Sequence, residues 1–205
     1  MRRRLPIFVE RSLQQVQADR IELTDAFERT IVGDKAVSCK AGCSACCHHP
    51  LFITILEAIP LYGSLVARGQ WVPSLKEKLQ KVSSLTSGLD THVWLRSNIA
   101  CPLLKDNRCM AYESRPFACR ATIATGDPYY CAPQRLGAHT TIAPRVEAMK
   151  EFHAREKAIL RKHGLLHLVM PLGRAVLLAE RVCSGALTLE DVDRTYVADH
   201  LADEA

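Results

Sequence analysis

The sequence predicts a mainly α fold in which helices pack around an irregular, cysteine-rich centre. Apolar residues recur at helical spacing in several segments, and no segment alternates long enough to predict more than a short strand. Turn-forming residues break up the segment between Cys101 and Cys131. The 205 residues, 48% apolar and 24% charged, suffice for one sizeable core, so we expect a single core with helical extensions.

The predicted helices begin and end at recognisable residues. Thr54, followed three residues later by Glu57, has the spacing of a capping box, which predicts a helix that ends at Gly69. Pro73 suits the first turn of the next helix, which runs to about residue 85. The other predicted helices cover residues 9–30, 142–163 and 175–182, and a last segment capped by Thr188 and Asp191.

The cysteine content and the missing export signals predict a cytoplasmic metal-binding protein. The apolar stretch 51–67 is interrupted by Glu57 and Pro60, and it is shorter than the roughly 20 residues that span a bilayer. The arginines at positions 2–4 are followed by Pro6 where a secretory signal needs an apolar run. Because cytoplasmic thiols stay reduced, nine cysteines, an odd number, indicate metal binding or redox chemistry and not a disulfide framework.

Eight of the nine cysteines form two groups that we predict to be metal ligands. The first group is a C-x3-C-x2-C-C loop of Cys39, Cys43, Cys46 and Cys47, and the second, more widely spaced, comprises Cys101, Cys109, Cys119 and Cys131. Thiolates two or three residues apart can chelate through a local turn, and Gly42 can take a positive φ that closes this loop.

Neither cysteine group can easily complete a metal site alone. The adjacent side chains of Cys46 and Cys47 are expected to point in different directions and to serve different metals or roles. The second group is too widely spaced to wrap one ion as a local loop. We therefore expect the two groups to meet in space and to form one composite centre.

The ninth cysteine and four histidines are weaker candidates. Cys183 lies in a helical apolar pattern and is expected to be a small buried hydrophobe. His48 and His49 follow the cysteine pair, so they are either solvent-facing loop residues or nitrogen ligands in a mixed site. His163 and His167 have the spacing of a helical metal face, but the nearby glycines weaken that helix, and we expect them on the solvated surface.

Two arginines bracket one predicted ligand of the second group. A guanidinium at Arg115 or Arg120 could donate to the sulfur of Cys119 or a neighbouring ligand and offset the accumulated negative charge. We therefore predict that both support the cofactor without ligating it. Tyr112 is expected to pack, with its hydroxyl bonded locally.

The cysteine motifs resemble those of a known family. The motifs are C-x3-C-x2-C-C from Cys39, C-P-L-L from Cys101, C-x2-Y-x2-R-P-x2-C-R from Cys109, and the later Cys131. On these residues the chain resembles the YkgJ-like cysteine-cluster family, described as zinc- or iron-chelating domains. The resemblance covers about residues 39–131 and implies metal or cluster binding. Similar cysteine patterns also occur in bacterial flagellin lysine methylases.

These observations divide the chain into three regions and define its expected ligands. We predict an N-terminal helical extension (1–36), a cysteine-cluster metal-binding domain (37–135) and a C-terminal helical region that packs on it (136–205). The net charge of +5 counts every thiol as neutral, and Lys and Arg alternate with Asp and Glu. We therefore expect a metal ion or cluster as ligand and no nucleic-acid or membrane partner, while a protein partner stays open.

Three functions fit the pattern. The preferred one is an iron-sulfur or iron protein for electron transfer or redox sensing, because three close cysteines plus the remote Cys101-Pro102 resemble ferredoxin ligation. A structural zinc module for partner binding would favour two short-spaced pairs per ion. A cluster-dependent enzyme, of the methyl-transfer or radical S-adenosylmethionine type, also fits the first spacing, but Ala45 stands where that radical motif usually has an aromatic residue.

Overall fold

Helices make up most of the structure, as the sequence predicts. The computed structural model describes the greater part of the chain: residues 11, 14, 15, 18, 19, 22, 25, 26, 39, 42–125, 127–131, 140–141 and 144–202. Within these residues, no helix combines the length and the apolar character that crossing a membrane requires.

The first two described helices begin at the predicted residues. Helix α1 spans Ile55–Ala67, and the capping box at its start is formed. The N–H of Glu57 donates to Thr54 Oγ1 at 3.2 Å, while the N–H of Thr54 donates to Glu57 Oε2 at 3.4 Å. Helix α2 spans Pro73–Thr86, with Pro73 in its first turn. Local sequence signals are therefore sufficient to place both helix starts.

A short helix, α3 (Thr91–Arg96), was not predicted. Its six residues are too few to show a helical apolar repeat. Asp90 caps it by accepting hydrogen bonds from two backbone N–H groups of its first turn. Trp94 of this helix is buried and packs edge-on against Phe52, with ring centroids 5.3 Å apart. The helix thus joins the main body through one aromatic contact near the cysteine loop.

A strand pair holds the C-terminal half against the segment that follows the first cysteine group. Strand β1 (Phe52–Thr54) pairs antiparallel with a strand near the C-terminus, β6 (Val169–Pro171), and Ile53 lies opposite Met170. Helix α6 (Leu172–Cys183) follows β6 directly and packs on α1 and α2. The main apolar core lies between these three helices.

One glycine sets the distance between α6 and α2. A Cβ at Gly173 would lie 3.1 Å from the carbonyl oxygen of Leu79, which is closer than most Cβ contacts. The absence of a side chain therefore lets α6 approach the backbone of α2 closely.

The segment from Cys101 to Cys131 has little regular structure, as predicted. It contains a hairpin of two-residue strands, β2 (Leu104–Lys105) and β3 (Arg108–Cys109), and two 3₁₀ turns. It also contains a one-turn helix, α4 (Phe117–Arg120), and strand β4 (Ala124–Thr125), which pairs with β5 (Thr140–Thr141). Asp106 and Asn107 both have positive φ, as a tight hairpin turn requires. The ring of Phe117 stacks on that of Phe152, with centroids 4.6 Å apart, and this contact anchors the segment to the core.

The remaining helices agree with the predictions apart from their ends. Helix α5 spans Pro144–Arg161, α6 is longer than the predicted 175–182, and α7 spans Leu189–Ala202 after a capping box of Thr188 and Asp191. The arginines at 2–4 and most of the predicted helix 9–30 lie outside the described residues. The residues of that segment that are described are helical, and Asp19 lies 3.5 Å from Arg155 of α5.

Candidate metal centre

The two cysteine groups line one cavity, as expected of a composite centre. The cavity has a volume of about 670 Å³, and six cysteines border it: Cys43, Cys46, Cys47, Cys101, Cys109 and Cys119. The backbone joins the groups directly, because the N–H of Cys101 donates to the carbonyl oxygen of Cys47 at 2.7 Å. The intervening helices α1 to α3 therefore form an excursion that returns the chain to the first cysteine loop.

A tight turn presents the adjacent cysteines of the first group to the cavity. Residues Ala45–His48 form a 3₁₀ turn, preceded by Gly42 with the predicted positive φ of 87°. Both Cys46 and Cys47 border the cavity, and a hydrogen bond joins their thiols. The two side chains therefore face the same cavity, although adjacent residues are expected to point in different directions. Successive residues of a 3₁₀ turn are about 120° apart, so both can flank one wide cavity. That Cys46 and Cys47 bind different metals or have different roles stays a prediction.

The last two predicted ligands lie beside this cavity. The N–H of Ala124 in β4 donates to the Cys39 sulfur at 3.3 Å, which ties the first group to the end of the second. Burial raises the pKa of Cys131, and the neighbouring thiols of Cys39 and Cys43 raise it further, which places these three sulfurs in one electrostatic environment. All eight predicted cysteine ligands are therefore gathered in one region of the described structure.

The buried thiols favour the protonated form unless a cation is near. Burial raises the pKa of Cys101 to about 11, and it raises that of Cys119 well above the ordinary value, with Cys101 as the next contributor. Metal ligation requires thiolates, and a bound cation supplies the positive charge that stabilises them. The donor set of clustered soft sulfurs fits iron or zinc.

The two arginines occupy different positions relative to the cavity. Arg115 borders it, lies 3.6 Å over the ring of Tyr112, and donates from Nε to the Tyr112 carbonyl at 2.8 Å. Burial raises the pKa of Cys109, while the N–H of Ala111 and the charge of Arg115 oppose this. Arg115 thus places positive charge beside the thiols. Tyr112 is 42% exposed, and its ring packs against the Arg115 guanidinium at the edge of the cavity.

Arg120 lies at the end of α4 and does not border the cavity. Its Nη2 donates to the carbonyl of Glu113 at 3.2 Å. Its Nε is buried, and within the described part of the chain that atom has no hydrogen-bond partner. Support of a cofactor by either arginine stays a prediction.

The histidines after the cysteine pair contact backbone carbonyl groups. His48 Nδ1 lies 3.3 Å from the Asn98 oxygen, and His49 Nε2 lies 2.9 Å from the Cys131 oxygen. Both residues are half-buried; His49 borders the cavity, whereas the contact of His48 with Asn98 is exposed. Their ligation of a metal stays open.

Cys183, in contrast, stands apart from the cysteine cavity. It is the last residue of α6, it is half-buried, and it packs against the apolar core. It does not border the cavity. It therefore packs as a small hydrophobe at the edge of the core, half-buried where the sequence predicts a buried residue.

His153, Glu156 and His167 form a polar cluster that was not predicted from the sequence. His153 borders the cysteine cavity, and Glu156 is only 1% exposed. The expectation that His167 lies on the solvated surface is wrong, because its side chain is 14% exposed and contacts Glu156. The H-x-x-E spacing within the predicted helix 142–163 places His153 and Glu156 on one face of that helix. No local sequence signal predicts that His167 joins them.

A second buried carboxylate links this cluster to the cysteine segment. Glu57 Oε1 accepts a hydrogen bond of 2.7 Å from the N–H of Phe117, the first residue of α4. Burial, followed by the nearby charge of Glu156, raises the pKa of Glu57 to about 8. Glu57 therefore caps α1 and also positions the turn that carries Cys119.

Cysteine thiols gathered at one cavity are typical of proteins that bind soft or borderline metal ions. The CxxCxxCC family, described as "Putative zinc- or iron-chelating domain", matches residues 38–157, which is more than half of the chain. The protein belongs to this family, the YkgJ-like family, and the membership supports metal binding. No curated protein and no solved structure matches the chain.

Proposed function

We propose that the eight cysteines bind iron, as an iron-sulfur cluster or as iron ions, and that the protein uses this centre in the cytoplasm for electron transfer or redox sensing. The observation that carries the proposal is the convergence of six thiols from both groups on one cavity of about 670 Å³. The family membership supports the metal, and the number of thiols favours a polynuclear centre.

The thiol count favours a cluster over one structural zinc ion. Four thiolates saturate a tetrahedral zinc ion, which would leave at least two cavity thiols without a ligand role. A cavity of about 670 Å³ offers far more space than one ion needs. A cluster of several metal atoms uses both the sulfurs and the space.

The surroundings of the thiols suit exchange of electrons with a partner. Cys39 and Cys43 are exposed, whereas Cys119 is half-buried, so the thiols extend from the surface towards the interior. Arg115 places a positive charge at the cavity wall, where it would offset the negative charge of thiolates. When bound, an iron centre would supply reversible one-electron chemistry, whose potential depends on such charges and on solvent exposure.

The radical S-adenosylmethionine alternative is less well supported. That chemistry usually sits in a β/α barrel, whereas the described residues form helices and two-stranded sheets. A methyl-transfer enzyme stays an alternative, without a specific observation in its favour.

Anaerobic purification followed by iron, sulfide and zinc analysis tests the proposal. We expect stoichiometric iron and broad visible charge-transfer absorption that bleaches reversibly on reduction. Protein treated with a chelator under the same conditions is the control and should lose this absorption. A colourless protein with stoichiometric zinc would replace the proposal with the structural zinc module.

A further inference from the structure

We propose that His153, Glu156 and His167 form a second metal site, with nitrogen and oxygen ligands, for a divalent transition-metal ion such as zinc. His153 and Glu156 lie one turn apart on α5, and His167 comes from the segment between α5 and β6. One ligand atom from each residue lies within 4.8 Å of the other two.

The distances match the spacing of ligands around one metal ion, and they lie at the long limit of hydrogen bonds. Glu156 Oε2 lies 3.4 Å from His153 Nδ1 and 3.4 Å from His167 Nε2. Ligands bound to tetrahedral zinc at 2.0–2.1 Å lie about 3.3–3.4 Å apart, whereas hydrogen bonds to a carboxylate are about 2.7–2.9 Å long. His153 Nδ1 is buried, and among the described residues it has no hydrogen-bond partner. Both contacts with Glu156 thus have the length of an edge of a zinc tetrahedron.

A hydrogen bond from the start of α1 orients the carboxylate. The hydroxyl of Thr54 donates to Glu156 Oε1 at 2.7 Å, which leaves Oε2 as the oxygen that faces both imidazoles. Such outer contacts commonly fix the orientation of a metal-binding carboxylate. Thr54 is completely buried and also caps α1, so its position is determined by the fold.

The charge of the cluster also favours a bound cation. Glu156 is 1% exposed, and the ion pairs described for it involve histidines alone, with no Lys or Arg. Glu57, also buried, places a second carboxyl group nearby, and the charge of Glu156 contributes to its raised pKa. Burial of a carboxylate is costly unless opposite charge is near, and a divalent ion would supply that charge.

Three protein ligands leave one coordination position for water or a small ligand. Two histidines and one carboxylate are the ligand set of many catalytic zinc sites, and also of non-haem iron(II) sites with open positions. His153 borders the cysteine cavity, so this second site would lie next to the thiols while using different donor atoms. The inference therefore stands whichever metal the cysteines bind.

Cadmium-113 NMR of the full chain tests the site, because nitrogen and oxygen ligands give resonances well separated from those of thiolate ligands. We expect the cadmium-loaded wild-type protein to show a resonance of the nitrogen and oxygen type, with scalar coupling to the imidazole protons of His167. The variants His167→Ala and Glu156→Gln should lose this resonance and about one zinc or cadmium ion per chain, and should keep the thiolate resonances. His163→Ala, which changes an exposed histidine of the same segment, is the matched control and should keep both.

The wild-type spectrum decides the question even if a variant fails to fold. A wild-type protein that binds cadmium through thiolates alone would show that the cluster is a structural ion pair, and the proposal would be wrong. The proposal would also be wrong if the nitrogen and oxygen resonance persisted in both variants. Absence of thiolate resonances from the spectrum of the cadmium-loaded wild-type protein would instead count against the proposed cysteine centre. Failure of the second site and failure of the cysteine centre are therefore distinguishable.

Discussion

Replacement of Thr54 by Val tests whether one hydroxyl group connects the start of α1 to the buried polar cluster. This hydroxyl accepts a hydrogen bond of 3.2 Å from the N–H of Glu57 and donates one of 2.7 Å to Glu156 Oε1. Val has nearly the same shape, so Thr54→Val removes both hydrogen bonds and creates little empty space.

The free energy of unfolding should fall by about 2–4 kcal/mol in this variant. Loss of an N-cap hydroxyl costs about 1 kcal/mol, and loss of a hydrogen bond to a charged group costs about 1.5–3 kcal/mol. Thr54 is completely buried, so water cannot replace either bond. Thr54→Ser is the matched control, because it keeps the hydroxyl and removes one methyl group, at a cost of about 0.8 kcal/mol.

Urea denaturation of the three proteins, at equal and verified metal content, measures these differences in the unfolding free energy. A loss below about 1 kcal/mol for Thr54→Val would refute the reasoning, as would an equal loss in Thr54→Ser. Weaker zinc binding at the His153, Glu156 and His167 site is a second expected effect of Thr54→Val, because Glu156 loses the group that orients it.

Two further predictions concern the cysteine cavity. Cys119→Ser should sharply reduce bound metal, because a hydroxyl is a poor substitute for a thiolate. Cys183→Ser should leave the metal content unchanged. Equal losses of metal in the two variants would show that Cys183 is misassigned. Burial raises the pKa of Cys101 to about 11 and that of Cys119 well above its ordinary value, so both thiols are protonated at pH 7 and must release protons on ligation. Metal affinity should therefore rise with pH and fall as pH is lowered. Calorimetric titration with zinc in buffers of different ionisation enthalpy should detect the released protons. Zinc binding without proton release at pH 7 would contradict this prediction.

The features that were predictable from sequence depend on contacts within one turn of the chain. The capping boxes of α1 and α7 join residues three positions apart, such as Thr54 with Glu57, so their signal is local. The short α3 has too few residues to show a helical apolar repeat, and it was not predicted. The meeting of the two cysteine groups was also predictable, because ligand number and spacing required it without any knowledge of the path between them.

The sequence by itself thus determined the starts of α1, α2 and α7, the cysteine ligand pool and the family. Only the tertiary structure decided how the side chains face one another. The 3₁₀ turn directs Cys46 and Cys47 to the same cavity. The contact between Thr54 and Glu156 joins residues 102 positions apart. Such contacts arise when packed helices and a strand pair bring distant segments together, and no local propensity encodes them.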